Sequence, residues 1–245
     1  MVHTPARLGA SLLLTASASA TFAAAWQRWW PACHRGRFDV ARCVRLQDHE
    51  YDYLVPSDPW TPVGGAAELG GIGLILLAGA ALLLPLALVP PSHRVLRSLV
   101  ALVPAASLAL VRAQTFLSGR AGHVVGVPFL PWAVAVWLLA WPFALTMWAG
   151  AQLLRQPGGR SRGDLASALL VAGATPLPTL LILGPAAASY SSYDTAPWSE
   201  AVTAPLLLLA AATLWIPAAT ERVMSLSGAV SDRRTSRPGD LGGVR

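Results

Sequence analysis

The chain has 245 residues, 54% hydrophobic and only 12% charged, with a mean hydropathy of +0.52. An ordinary soluble domain carries about 25% charged residues, so a soluble enzyme, a secreted disulfide scaffold and a disordered chain are all disfavoured. The net charge is +6, and all 18 basic residues are arginine; with abundant Ala, Gly, Pro and Leu this reads as the coding bias of a GC-rich bacterial genome.

The apolar residues gather into six runs, at 8–26, 67–89, 95–117, 129–150, 165–188 and 201–219. Each is near the ~20 residues that cross about 30 Å of hydrocarbon at a rise of about 1.5 Å per residue. None alternates polar with apolar as a barrel strand does. Lipid offers the backbone no water, so the runs must be helices. The expected fold is all-α: a polytopic transmembrane bundle of about six spans with one disulfide-stapled loop. Its parts are an N-terminus and first span (1–26), a loop (27–66), the bundle (67–219) and a disordered tail (220–245).

The first run is poor in Leu and rich in Ala, Ser and Thr. Ala16-Ser17-Ala18 and Ala18-Ser19-Ala20 resemble signal-peptidase sites, but the run continues to Trp26, which favours an uncleaved helix. Its small residues at four-residue spacing (Ser11, Thr15, Ser19, Ala23) predict a face against which another helix packs closely.

Residues 27–66 hold both cysteines, Cys33 and Cys43. In an oxidising compartment they should pair, closing a loop worth about 2–3 kcal/mol. The Cys-x-x-Cys spacing of thiol oxidoreductases is absent. Asp39 is placed to cap a short helix carrying Val40, Cys43 and Val44 on one side. The run Asp48-His49-Glu50-Tyr51-Asp52-Tyr53 lacks the glycine of a tight calcium loop, and Arg42 and Arg45 are close enough to neutralise it. A zinc or copper set of Cys33, His34, Cys43 and His49 would be destroyed by oxidation. The acid–aromatic run therefore reads as a solvated or partner-facing surface, with no metal assigned, and Pro56 to Pro62 as a stiff return to the membrane.

Within the spans no acid lies at mid-depth. Arg112, about five residues from the end of the third span, is the one charge well inside: it snorkels to the interface or faces an anion, with Gln114 nearby. Trp137 and Trp141 lie four apart on the fourth span, as a packing pair or the wall of a groove. The fifth span is interrupted by Ala174-Thr175-Pro176-Leu177-Pro178-Thr179. Its two prolines free the carbonyls of Ala172 and Ala174, and Thr175 and Thr179 are placed to satisfy the exposed backbone. The break is either a plain kink or part of a mid-membrane site.

Arginine sets the expected orientation. With both termini in the cytoplasm, the inner segments carry eleven arginines against four acids, and the outer segments seven against eight. That places loop 27–66 outside and accounts for the basic balance without a nucleic-acid partner. Trp26, Trp29, Trp30, Trp132 and Trp198 then fall at outer span ends, and Trp148 and Trp215 near inner ones. No P-loop, GxSxG, HExxH or GxGxxG pattern is present, and the five histidines lie outside the spans. The expectation is a non-catalytic accessory, scaffold or interaction subunit of the bacterial cytoplasmic membrane. It needs no cofactor, and its partners are the lipid bilayer and other membrane-protein subunits. The alternative is a small permease, or the membrane-spanning subunit of a transporter, with a path past Pro176, Pro178 and Arg112.

Overall fold

The computed structural model describes residues 3–89, 93–155, 162–190 and 194–215, and no strand occurs among them. Helix α1 spans His3–Trp29 and the short α2 Ala41–Leu46, followed by a 3-10 turn at His49–Tyr51. Helices α3 (Ala66–Leu88) and α4 (Arg94–Ala121) are long and continuous. Helix α5 runs from Leu130 through Ala135, widens into a π-turn at Val136–Ala140 and continues over Trp141–Arg155. Helix α6 is Arg162–Gly173. Helix α7 begins at Pro176, has a π-turn at Thr179–Leu183 and ends at Ala188. Helix α8 covers Glu200–Trp215.

Four of these helices (α1, α3, α4 and α5) are long and apolar enough to cross a membrane, and α6 with α7 makes a fifth candidate, bent by 70°. The described part of the sixth predicted span is α8, a shorter apolar helix. Residues 216–219 and the tail 220–245 lie outside the described residues.

Helix α3 is the central post, packed between α1 and α4. Glycine makes this possible on two sides. A Cβ at Gly71 would stand 2.8 Å from Cβ of Phe116 on α4, and one at Gly73 2.8 Å from Oγ1 of Thr21 on α1. The core between them is Ala and Leu: Ala10, Leu14, Ala18, Leu74, Ala78, Ala81 and Leu108 are all buried. The many exposed large apolar side chains, such as Leu154 at 89% and Leu181 at 69%, suit a bundle whose solvent is lipid rather than water.

The structure corrects the expected packing face of α1. Thr15 and Ser19 are exposed, and their hydroxyls donate back to the carbonyls of Ser11 and Thr15. The face that packs is Ser11, Leu14, Ser17, Ala18, Ala24 and Ala25. Ser11 donates to Ala211 O of α8, and Ser17 to Gly73 O of α3. Four-residue spacing drifts around a helix of 3.6 residues per turn, whereas the observed set follows the mixed three- and four-residue steps of one stripe.

Asp39 does not cap α2. The cap is Val40, which makes no side-chain hydrogen bond, and Val44 is 47% exposed rather than inward-facing. Arg112 lies nine residues before the end of α4, not five, because the helix continues to Ala121.

Candidate functional site: a buried ion cluster over a central cavity

The last turn of α1 carries Arg28, which is 1% exposed. Its Nη1 donates to Asp52 Oδ1 at 2.6 Å and to Glu200 Oε1 at 2.8 Å. Its Nε and Nη2 donate to Leu46 O at 3.1 and 2.8 Å, and Nη2 also approaches Asp48 O. Trp29 Nε1 donates to the other Glu200 oxygen at 2.7 Å. One guanidinium thus ties three pieces of chain together: the end of α1, the segment 46–52 and the first residue of α8. A buried cation is stable only when its donors are this fully matched.

The cluster extends outward through His49. Its Nδ1 lies 3.0 Å from Asp52 Oδ2 and its Nε2 2.9 Å from Asp194 Oδ1, while its backbone N–H donates to Asp194 Oδ2. The hydrogen bond with Asp52 raises the His49 pKa above its ordinary value. Burial pushes the Asp194 carboxyl up, and His49 pulls it partly back. Tyr53, 1% exposed, has its phenol pushed well above the ordinary range, chiefly by burial. The run 48–53 is divided: Asp48 and His49 are exposed and Glu50 and Tyr51 half-buried, as on a solvated face, whereas Tyr53 is buried and Asp52 turns inward to pair with Arg28 and His49. The neighbouring loop is fixed as well. Trp60 Nε1 donates to Asp52 O, and Gln114 Nε2 donates to Pro56 O.

Cys33 and Cys43 form a disulfide, with Cα atoms 4.9 Å apart. Both are fully buried beside Trp29, Ala25, Ala32 and Phe38. Trp29 is accordingly a core residue and not part of an interfacial belt, while Trp26, Trp30 and Trp132 are exposed at 39%, 48% and 75%.

Directly beneath the ion cluster lies a cavity of about 270 Å³, close to the lower end of the range of small-molecule sites (about 300–1,000 Å³). Arg28, Asp52, Glu200 and Thr195 form one end, and Leu74, Leu77, Trp137 and Leu207 line the apolar part. The broken helix forms one wall through Ala174, Pro176 and Thr179. At the break Thr175 is extended (ψ 158°), and its hydroxyl donates to Ala172 O at 2.7 Å. Thr179 Oγ1 donates to the carbonyls of Thr175 and Pro176. These hydroxyls partly replace the donors that the two prolines lack.

Of the residues singled out from sequence, Pro176 and Thr179 line this cavity, and Thr175 is buried at the bend beside it. Pro178 sits in the first turn of α7 and Arg112 elsewhere; neither is among the lining residues. The Arg112 guanidinium rests 4.7 Å over the Phe116 ring, and its Nε makes no hydrogen bond. Trp137 and Trp141 are both buried but line different spaces: Trp141 faces a second groove between α3, α4 and α5.

Arg28 and Glu200 are the residues that sequence reasoning did not single out, and Asp52 entered it only as one acid of the run 48–53. The available signal was thin: an arginine in the last turn of one apolar helix and a glutamate in the first turn of another, 172 residues apart. Comparison of the chain with protein-family models, with curated proteins and with solved structures finds no match.

Proposed function

We propose that this chain is a six-span protein of the bacterial cytoplasmic membrane, both termini cytoplasmic, that acts as a non-catalytic accessory or scaffold subunit. Its contact surface for other membrane-protein subunits is the extracytoplasmic loop 27–66. The observation that carries this reading is the double fixation of that loop, by the Cys33–Cys43 bridge and by the buried Arg28 cluster. A loop without such ties spends binding energy on ordering itself, whereas a fixed one presents a preformed surface. The arginine balance supports the orientation, and the apolar run 201–219, whose described part is α8, supplies the sixth crossing.

A photo-reactive side chain placed at Arg35 in the loop tests this against one at Leu154 on the lipid-facing helix surface. Cross-linking in intact cells should give a discrete membrane-protein adduct from position 35 and only lipid from position 154. Adducts at neither position, or the same ones at both, would remove the loop as the contact surface.

A second reading, a small permease, is favoured by one observation: the helix break forms a wall of the central cavity. Replacing Pro176 and Pro178 together by Ala should then alter uptake at unchanged protein level. Unaltered uptake removes that role.

A further inference from the structure

We infer that the central cavity is a binding site for a monovalent organic cation with an apolar body, such as a substituted ammonium ion. The inference goes beyond the accessory role and does not depend on it; under the permease reading it names the cargo.

Charge is the first argument. The cavity is bounded by two carboxylates, Asp52 and Glu200, and one guanidinium, Arg28, so its charged end carries one negative charge in excess. The excess sits in a low-dielectric setting, since Glu200 is 6% and Arg28 1% exposed. A field of that sign in an apolar enclosure attracts a cation and excludes an anion.

Hydrogen-bonding chemistry points the same way. Beyond Arg28, whose donors are already engaged, the polar groups of the charged end are the carboxylates of Asp52 and Glu200 and the Thr195 hydroxyl, and the unpaired indole N–H of Trp137 belongs to the apolar part. Ala174 lines the cavity, and its carbonyl cannot receive the usual helix bond, because residue 178 is proline and has no N–H. A ligand that donates, or simply carries positive charge, suits such a wall.

The apolar part selects the body of the ligand. Leu74, Leu77, Leu207 and the indole of Trp137 surround it, and an aromatic face stabilises a neighbouring ammonium group. A bare or hydrated metal ion fits poorly. The carboxylate oxygens are occupied by Arg28, Trp29 and His49, and leucines cannot replace a hydration shell. Counting about 1.5 Å per residue along α1 from Arg28 to Ser17, both of which line the cavity, it reaches about 16 Å below the ion cluster. That depth accommodates a charged head with a ring or short chain beneath it.

Equilibrium dialysis of the full chain in mild detergent with radiolabelled benzyltrimethylammonium tests this. Two competitors of similar size separate charge from shape: neopentylbenzene, which is neutral, and phenylmethanesulfonate, which is anionic. Saturable binding of one cation per chain is expected, displaced by neither competitor. Asp52→Asn and Glu200→Gln should each weaken it about tenfold by cancelling the charge excess, and Leu77→Phe should weaken it at least as much by filling the cavity. If Glu200→Gln fails to fold, Asp52→Asn, at a side chain 27% exposed, carries the charge test and Leu77→Phe the test of location. Absence of saturable binding to the folded chain overturns the site. Equal displacement by the neutral or anionic competitor, or an affinity untouched by Leu77→Phe, does so too.

Discussion

Helix α1 carries an ion-paired arginine near each end, Arg28 buried and Arg7 half-buried, and the two are satisfied to different degrees. Arg28 is a hub, held by two carboxylates and two backbone carbonyls from two separate segments, 46–52 and the start of α8. Arg7 is a clasp. Its Nη2 donates to both oxygens of Asp164 at 2.6 and 2.8 Å, joining α1 to the first turn of α6, while its Nη1 makes no hydrogen bond. Among the described residues Arg7 has Asp164 as its partner and closes one gap; the hub organises an entire end of the bundle. A buried ion pair can often be exchanged for apolar side chains at little loss. A hub whose acids lie on different elements cannot be exchanged so simply, because both acids lose their shared cation at once, leaving Glu200 buried with only the donors of Trp29 and Ser199.

The largest effect is therefore expected at the hub. Arg28→Met leaves Glu200 buried without its cation and should lower unfolding stability by about 3–5 kcal/mol, read as the midpoint of thermal or denaturant unfolding of the purified chain in detergent. Next comes the staple. Cys33→Ser with Cys43→Ser releases a loop with nine residues between the bridged positions, costing about 2–3 kcal/mol. Because the bridge and Arg28 hold the same segment, combining the changes should cost less than the separate losses added together. Strict additivity would mean that the two ties act on different structures.

Arg7→Met should cost about 1.5–3 kcal/mol, the scale of a hydrogen bond to a charged group. The informative variant is the double exchange Arg7→Met with Asp164→Leu, which removes both charges at once and should recover most of the loss. Arg28→Met with Glu200→Leu should recover much less, since Asp52 keeps its charge. Equal recovery at both ends would erase the distinction between hub and clasp.

The parts of this molecule legible in its sequence are those set by local chemistry. Span positions follow from apolar run lengths, the bend at residue 175 from Pro176 and Pro178, and the disulfide from two cysteines in one short polar segment. The ion cluster was not legible in the same way. Arg28 and Glu200 each sit at the end of an apolar run, where a charge is ordinarily explained by the interface, and nothing in their spacing records that the bundle closes them onto each other. Asp52 was masked by its neighbours, since Arg42 and Arg45 are nearer in sequence than Arg28. The packing stripe of α1 was misread for a different reason. Small residues are plentiful along the whole helix, so composition alone does not mark which face meets α3 and which meets lipid. The helix break was visible, but its place in the wall of a cavity depends on α1, α3, α5 and α8, which only the assembled bundle brings around it.

The smallest expected effect lies at the rim of the hub, where the cluster meets water. His49 bridges Asp52 and Asp194, with Asp48 alongside and Arg28 on the far side of Asp52. Its pKa is raised chiefly by the hydrogen bond with Asp52, with burial working against this and the charges of Asp194, Asp52 and Asp48 adding to it. A histidine raised on folding stabilises the fold while it is protonated. Its contribution is therefore complete below about pH 6.5, the unfolded value, and is lost as pH rises through the higher folded value. The His49 side chain is 76% exposed, so solvent screening should hold the whole effect to about 0.5 kcal/mol. Unfolding midpoints measured between about pH 5 and pH 9 should fall slightly with rising pH in the native chain and less in His49→Asn. The Arg28 guanidinium, which as an arginine stays charged across that range, should hold the loop at both extremes. A slope unchanged by His49→Asn would place the titrating group elsewhere. A collapse of the loop at high pH would mean that the rim, and not the buried guanidinium, carries the load at this end of the bundle.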